Sequence, residues 1–415
     1  MVALGTLLGT RVLTGFIPPA LFGAVSLALG ISALAINMAC TPQVQALLRF
    51  YPGAQQLGET GLLQGALRRN LRRVMGAALA IMTLSGVAYG LTGNLSPGVM
   101  LLVELLFVAE CLRAVRQNAL NAARSHRLHA LWMAGEAWLR PLMATAAVLY
   151  VSRSAEAVLA GYVAATFILL ALCWRAGAVF VASTPATASG KDAQVSSYAD
   201  RMWRYALPLI PLGLVDWTNG LSDRYIIGGL LTLKDAGLYA AAYGLASRPF
   251  LMLGTSVELV VRPLYQAAVS AGQHRQAQRL LALWLAAVLG FGVVGVAVVC
   301  LWKQPITSLL LGAGYGAAAA LMPMIAAGYV LLIASYVFER VCYAHGKTNR
   351  VLLTQTFTAA GGVTATLTCT HLFGIIGAAA AVPIYFSIQL LVSIWFAYKT
   401  LAGLAETDPQ PSASD

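Results

Sequence analysis

The chain contains eleven apolar segments that are each long enough to cross a lipid bilayer as a helix. A hydrocarbon layer about 30 Å thick requires about 20 mostly apolar residues per helix. The segments cover residues 20–48, 74–93, 97–119, 128–151, 155–174, 204–230, 237–261, 280–302, 318–339, 350–370 and 373–398. Residues 1–10 are also apolar, but such a stretch would rise only about 15 Å as a helix. The pattern predicts an all-α integral membrane protein.

The composition excludes soluble and secreted classes of protein. Only 10% of the residues are charged and the mean hydropathy is +0.75, whereas soluble domains carry about 25% charged residues. The six cysteines lie singly in or beside apolar segments without CxxC spacing. This spacing predicts neither a disulfide framework nor a metal site, and we expect no cofactor.

The basic residues are distributed unequally between alternate loops. The net charge is +12, but the charges lie in short runs between apolar segments, which argues against nucleic acid as a partner. Nineteen Lys and Arg residues fall on one set of loops and four on the other, namely Arg11, Arg153, Lys234 and Lys303. Cytoplasmic loops carry the basic excess. The richer set, together with the C-terminal tail, is therefore predicted to be cytoplasmic.

A small, polar stretch at residues 182–190 divides the chain into two halves. Its composition is typical of a flexible connection. We predict an N-terminal six-helix bundle over 1–174, a cytoplasmic linker over 175–203, a C-terminal six-helix bundle over 204–399 and a cytoplasmic tail over 400–415.

The two halves resemble each other. Arg11 and Arg49 are separated by 38 residues, as are Arg224 and Arg262, and the offset between the pairs is 213. Gly23 and Tyr51 have counterparts one residue away from that offset. A duplicated unit is expected, with both copies entering the membrane from the same side. The offset also implies that the given chain begins inside its first helix, so that this span is incomplete.

Ionisable residues inside apolar helices are costly and need a partner or a hydrated cavity. Four predicted spans carry them, and three place them along one helical face. The groups are Glu104 alone; His129, Glu136 and Arg140; Asp216, Asn219 and Asp223; and Arg248, Thr255 and Glu258, which lead to Arg262. We expect these residues to line a hydrated path.

Structural roles remain open for several of these residues. Glu136 and Arg140 have the i,i+4 order of a stabilising ion pair. Asp223 and Arg224 could anchor a helix end at the interface, and Arg262 could serve only to set the topology. No HExxH, GxSxG or phosphate-binding loop motif is present, which disfavours catalysis.

Several stretches resemble a known family. They are Arg204-Tyr-Ala-Leu-Pro-Leu-Ile-Pro211, Asp223-Arg-Tyr-Ile-Ile-Gly228 and Gly237-Leu-Tyr-Ala-Ala-Ala-Tyr243 in the second half, with Arg11-Val-Leu, Phe22-Gly23 and Leu48-Arg-Phe-Tyr-Pro52 in the first. The chain resembles the bacterial polysaccharide flippases, the O-antigen and exopolysaccharide translocases of the multidrug/oligosaccharidyl-lipid/polysaccharide exporter superfamily. The resemblance implies about 12 transmembrane helices in two six-helix bundles, as in MATE transporters, around a cationic cavity in the bacterial inner membrane.

The resemblance implies export of a polyprenyl-pyrophosphate-linked oligosaccharide rather than an enzymatic reaction. Membrane lipid, a polysaccharide polymerase and a chain-length regulator would be its partners. Arginines could neutralise the phosphates, and acidic residues could couple a proton or sodium gradient. The candidates for the substrate are Arg140, Arg248, Arg224, Arg11 and Asn219, and those for ion coupling are Glu136, Asp216, Asp223, Glu258 and Glu104.

Two other functions compete with export of a lipid-linked sugar. A cation-coupled multidrug antiporter would have the same fold, but intramembrane arginines such as Arg140 and Arg248 speak against it. A membrane polysaccharide polymerase would need large outer loops with reactive groups, and the outer connections here are short.

Overall fold

The computed structural model describes residues 2–90, 96–172 and 191–405. All regular secondary structure in these ranges is helical, as predicted. Residues 173–190 and 406–415 lie outside the described ranges. They include the first part of the predicted linker and most of the predicted tail.

The described chain folds into thirteen α-helices with two short irregular helices between them. The helices are α1 (Val2–Phe16), α2 (Pro19–Ala35), a π-helix (Ile36–Cys40), α3 (Thr41–Gln56), α4 (Thr60–Gly90), α5 (Pro97–Ala122), α6 (His126–Tyr150), α7 (Ala155–Leu172), α8 (Lys191–Ala206), α9 (Leu209–Leu230), α10 (Leu233–Ser270), α11 (His274–Leu310), a 3-10 helix (Ala313–Ala320), α12 (Met322–Ala344) and α13 (Thr348–Ala405).

Seven helical stretches of the described residues are long and apolar enough to span a membrane. They are Pro19–Gln56, Thr60–Ala88, Ala155–Leu172, Leu233–Ser270, His274–Leu310, Met322–Ala344 and Thr348–Ala402. Helix α13 covers the last two predicted spans, and Gly374 interrupts it with φ 60° and ψ −144°. Helices α5, α6 and α9 are not among the seven, and these three carry many of the ionisable residues.

Helix α8 differs from the predicted organisation. Residues 191–203 were expected to belong to a cytoplasmic linker and residues 204–206 to begin a membrane span, but all of them form one amphipathic helix. Tyr198, Ala199, Met202 and Ala206 are buried, and the first three belong to a cluster shared with α3 and α4. The chain turns at Pro208, which disfavours the helical conformation in the residue before it. The next helix, α9, therefore begins at Leu209, whereas the predicted span begins at residue 204.

Helix boundaries in the two halves repeat with an offset of 214 residues. The stretch Pro19–Gln56 corresponds to Leu233–Ser270, and α4 begins at Thr60 where α11 begins at His274. This regularity supports the predicted duplication, but the offset is one residue longer than the arginine pairs indicate. A shift of one residue turns a side chain by about 100° around a helix. Arg11 and Arg224 therefore do not occupy equivalent faces, whereas the buried Tyr51 and Tyr265 match.

The corresponding long helices are both irregular at the same place. The π-helix in the first half begins at Ile36. In the second half, Pro249 lies inside α10, and its equivalent at the offset of 214 is residue 35. A π-helix and a proline both disturb the regular i→i−4 hydrogen-bond ladder.

The contacts divide the chain into two compact units. Unit 1 comprises Met1–Trp217 with Leu310–Gly312, and unit 2 comprises Thr218–Leu309 with Ala313–Asp415. The division falls inside α9 rather than in the predicted linker over 175–203. Two contacts within unit 1 explain its limits. The indole of Trp217 donates to the Gly30 carbonyl at 2.8 Å, and the Gly312 amide donates to Thr14 Oγ1 at 3.1 Å.

Candidate functional site

Four charged side chains form one network inside unit 1. We call Glu110, Arg113, Glu136 and Arg140 the unit 1 ionic network. Arg113 Nη1 lies 3.0 Å from Glu136 Oε2, and Arg140 Nη1 lies 3.1 Å from Glu136 Oε1. Glu110 also pairs with both arginines. Two carboxylates and two guanidinium groups balance, which offsets the cost of withdrawing each charge from water.

Neutral polar groups extend the unit 1 ionic network to α7. Arg113 donates to Gln117 Oε1 at 2.7 Å, and Arg140 donates to Thr166 Oγ1 at 3.2 Å. Helices α6 and α7 approach closely because Gly161 has no side chain, and a Cβ atom there would lie 2.5 Å from the Ala144 Cα. The side chain of Glu110 is only 7% exposed, but that of Arg140 is 26% exposed. Arg140 therefore holds the network together and also presents part of its surface.

The structure confirms the predicted ion pair between Glu136 and Arg140 and corrects the account of α5. Glu104 was expected to be alone on that span, and Arg113 was expected to be one of the nineteen basic residues of the cytoplasmic loops. Glu110 and Arg113 in fact pair at i,i+3 within α5. The i,i+3 spacing of Glu110 and Arg113 was the sequence signal that could have predicted this ion pair. Glu104 itself lies apart from the unit 1 ionic network and accepts a hydrogen bond from Thr83 at 2.9 Å.

A buried carboxylate lies among tyrosines in unit 2. We call Asp223, Tyr239, Tyr243 and Tyr329 the Asp223 cluster. Tyr239 donates to Asp223 Oδ2 at 2.6 Å, and the Arg224 amide donates to Oδ1 at 2.8 Å. The hydroxyls of Tyr243 and Tyr329 are 2.8 Å apart. The Arg224 guanidinium lies 5.6 Å from the ring centroid of Tyr243, within the range of a cation–π interaction.

A second buried carboxylate in unit 2 is bound by amides. We call Glu339, Gln355, Gln389 and Asn219 the Glu339 cluster. Both glutamines donate to Glu339 Oε1 at 3.0 Å. Asn219 Nδ2 in turn donates to the carbonyl of Gln355 at 3.2 Å and to its side-chain oxygen at 3.3 Å. Glu339 was not among the predicted candidates. The available sequence signal was its position as the last residue of the predicted span 318–339.

Glu258 bridges two arginines in unit 2. Its Oε1 accepts from Arg262 Nη1 at 3.2 Å and lies 2.9 Å from Arg340 Nε. Arg262 is the more exposed partner, with 45% of its side chain accessible. The pairing joins α10 to α12 and was not apparent from sequence, since Glu258 and Arg340 are far apart along the chain.

The remaining predicted residues lie outside these groups. Arg11 on α1 and Arg248 on α10 are half-buried, and Asp216 on α9 is exposed. The predicted stripe of Asp216, Asn219 and Asp223 is therefore divided among three surroundings. In the described part of the chain, no three His, Cys, Asp or Glu side chains are arranged to hold a metal ion.

Known proteins resemble the chain in sequence and in fold. A family model described as "Polysaccharide biosynthesis protein" matches residues 123–320, which contain Glu136, Arg140, Asp223 and Glu258. No curated protein matches. A solved structure of the lipid II flippase MurJ in an inward closed conformation gives a TM-score of 0.71 at 12% identity, covering 100% of this chain and 92% of that one.

Two MATE transporters have similar architecture. An inward-facing multidrug resistance transporter of the MATE family and MOP superfamily gives a TM-score of 0.67 at 12% identity, covering 98% of this chain and 96% of that one. The Vibrio cholerae transporter VcmN in its bent form gives 0.52 at 14% identity with the same coverages. The chain has the fold of these membrane transporters. This finding and the family match confirm the predicted fold class and resemblance.

Proposed function

We propose that the chain moves a polyprenyl-pyrophosphate-linked oligosaccharide across the bacterial inner membrane for surface or exopolysaccharide synthesis. The observation that carries the proposal is the match to a polysaccharide biosynthesis family over residues 123–320, within a fold shared with a lipid II flippase. Alternating access would require no covalent chemistry, so we propose transport rather than enzymatic activity.

Guanidinium groups are suited to the proposed cargo. A pyrophosphate is anionic, and Arg can bind two of its oxygens at once through a planar fork. The candidates are Arg140, Arg248, Arg224 and Arg11, with Asn219 as a donor for sugar hydroxyls. Arg140 must bind through its exposed part, because Glu110 and Glu136 occupy the rest.

The acidic candidates for ion coupling differ in the groups that compensate their negative charge. Glu136 and Glu258 each pair with two arginines, so their negative charges are compensated by cations. Asp223 accepts from a tyrosine and a backbone amide, and Glu339 accepts from two glutamines. Neutral donors compensate a buried charge less than a cation does. Asp223 and Glu339 are therefore proposed to couple transport to a proton or sodium gradient, and Glu136, Glu258, Asp216 and Glu104 are the other candidates.

Reconstitution tests the proposed cargo. The purified chain is incorporated into liposomes with a fluorescent undecaprenyl-pyrophosphate oligosaccharide, and a membrane-impermeant quencher is added outside. We expect the protein to expose the inner-leaflet probe to the quencher. Arg248→Ala should slow this exposure, whereas Arg279→Ala, a change at an exposed arginine of α11, should not. An inner-leaflet pool that stays protected would refute the proposal.

A cation-coupled multidrug antiporter is the second candidate, because MATE transporters share the fold. The same liposomes distinguish the two functions when loaded with ethidium and placed in a proton or sodium gradient. Gradient-driven ethidium transport without movement of the lipid-linked sugar would favour the antiporter.

We also propose that the chain lies in the inner membrane with its C-terminus in the cytoplasm. The charge bias supports a cytoplasmic C-terminus, and seven helical stretches are suited to crossing a membrane. A polymerase and a chain-length regulator would take up the exported repeat unit on the opposite side.

A further inference from the structure

Six exposed arginines lie on two neighbouring helices of unit 1. We call Arg68, Arg69, Arg72 and Arg73 of α4, with Arg201 and Arg204 of α8, the arginine face. All six are exposed. Asp200 is an exposed acid beside them, so the arginine face keeps a strong positive charge.

The sequence of α4 confines its arginines to one side. At 100° per residue, the four positions fall within an arc of about 140°. The opposite side is buried and contains Leu67, Asn70, Leu71 and Val74. Packing therefore fixes the rotation of this turn of α4 and directs its guanidinium groups outward.

Helix α8 is attached beside these arginines. Asn70 Nδ2 donates to the Ala199 carbonyl at 2.9 Å, which joins the arginine-bearing turns of the two helices. Tyr198 donates to Glu59, a bond that raises the pKa of Tyr198 above its ordinary value. Phe50 packs edge-on against Tyr205 with ring centroids 6.0 Å apart. The arginine face is thus a fixed surface on two joined helices.

The arginines lie at the boundary of the apolar part of α4. Helix α4 has 31 residues and measures about 46 Å at the standard rise, which exceeds a hydrocarbon layer of about 30 Å. Its continuous apolar stretch begins at Val74, directly after Arg73. On α8, Arg204 likewise lies a few residues before the apolar segment that begins at Leu209. Both sets therefore fall where lipid headgroups begin.

Among the residues that the structure describes, most of these guanidinium groups have no acidic partner. Within the described residues, Arg68, Arg69, Arg72, Arg73 and Arg204 form no ion pair or side-chain hydrogen bond, while Arg201 lies over the Tyr198 ring. We propose that the arginine face is a binding surface for the anionic headgroups of bilayer phospholipids. It would hold α8, which leads into α9, against the predicted cytoplasmic leaflet.

Charge and geometry favour a lipid phosphate as the occupant. A polybasic segment beside a membrane helix is attracted to anionic headgroups, and each basic residue adds to the binding. The forked guanidinium can also donate two hydrogen bonds to one phosphate. Topology alone requires positive charge in a loop, but it does not require a fixed face on two packed helices. The inference is independent of the transported cargo.

Lipid binding to the purified full chain tests the proposal. Native mass spectrometry in detergent compares dioleoyl-phosphatidylglycerol with dioleoyl-phosphatidylethanolamine, which has the same acyl chains. We expect preferential binding of phosphatidylglycerol. Arg69→Gln with Arg73→Gln should weaken that binding about thirtyfold, the effect of losing two basic contacts at an anionic surface. Arg201→Gln with Arg204→Gln should weaken it in the same direction.

A matched variant separates this site from general charge loss. Arg275→Gln with Arg279→Gln removes two exposed arginines from the start of α11 and should leave phosphatidylglycerol binding unchanged. Thermal unfolding of each variant shows that it is folded. The proposal is overturned if neither double change in the arginine face weakens binding more than this control. Preferential binding of farnesyl pyrophosphate over phosphatidylglycerol would also overturn it.

Discussion

Among single residues, charged side chains that the sequence places on one helical face differ in the contacts they make. Arg140 contacts two carboxylates, whereas Asp223 accepts hydrogen bonds from neutral donors. Ion-paired groups are costly to separate, because removal of one partner leaves the other charge uncompensated. This difference determines which substitutions should damage stability and which should alter only transport.

Arg140→Gln should destabilise unit 1 by about 3 kcal/mol, because Glu110 and Glu136 would then share Arg113 alone. The double change Glu136→Gln with Arg140→Gln leaves one carboxylate, Glu110, paired with one guanidinium, Arg113. We expect it to recover much of the stability lost in Arg140→Gln. Membrane abundance and thermal unfolding in detergent measure both effects, with Arg279→Gln as the control.

The double variant also tests the role of Arg140 in binding. Normal transport by that variant would make Arg140 a structural residue and leave pyrophosphate binding to Arg248, Arg224 and Arg11. A double variant as unstable as Arg140→Gln alone would contradict the proposed balance of charges.

Glu339→Gln should preserve the fold but remove a proton-dependent step. Glutamine retains an oxygen that can accept from Gln355 and Gln389, so unfolding should be nearly unchanged. If Glu339 exchanges a proton, the dependence of transport on the pH gradient should be lost. The liposome assay at several gradients measures this, and Asp200→Asn is the control. An unaltered gradient dependence would exclude Glu339 from coupling.

At the scale of helices, one backbone position divides the last long helix. Gly374 has φ 60° and ψ −144°, a region that is essentially restricted to glycine. The bend allows α13 to contain both predicted spans of the C-terminal region.

Gly374→Ala should cost about 1–3 kcal/mol of stability, since a Cβ atom is strained in that conformation. Gly290 lies within α11 with no atom near the position of a Cβ, so Gly290→Ala should be neutral or slightly stabilising. Thermal unfolding of the two variants gives the comparison. Equal stability of both would mean that the bend does not require glycine.

Hydropathy and spacing predicted most of the helices, because a lipid environment requires long apolar segments whatever their packing. The break at Pro208 was missed because apolar residues continue on both sides of it. Local spacing also predicted the Glu136–Arg140 pair. It could not predict that Glu258 meets Arg340 or that Glu110 joins Arg140, since tertiary packing brings these residues together.

For the protein as a whole, the unequal distribution of basic residues between alternate loops predicts its orientation in the membrane. In a chain without its native cysteines, Lys234→Cys should react with an impermeant maleimide in intact cells. Lys347→Cys should react only after the membrane is opened, because the basic-rich loops are retained in the cytoplasm. Both lysines are exposed, so burial does not explain a difference. Labelling of Lys347→Cys from outside would reverse the orientation.

The shared irregularity of the two long helices has a mechanical consequence. A regular helix resists bending along its whole length, but a π-turn or a proline lowers the stiffness locally, since fewer hydrogen bonds must be distorted there. The π-helix at Ile36–Cys40 and Pro249 occupy corresponding positions along the two repeats. Each copy of the repeat therefore has a compliant turn at the same position along its long helix. Elastic strain applied to either helix would concentrate in that turn, and the two copies would flex about matching points despite their different sequences.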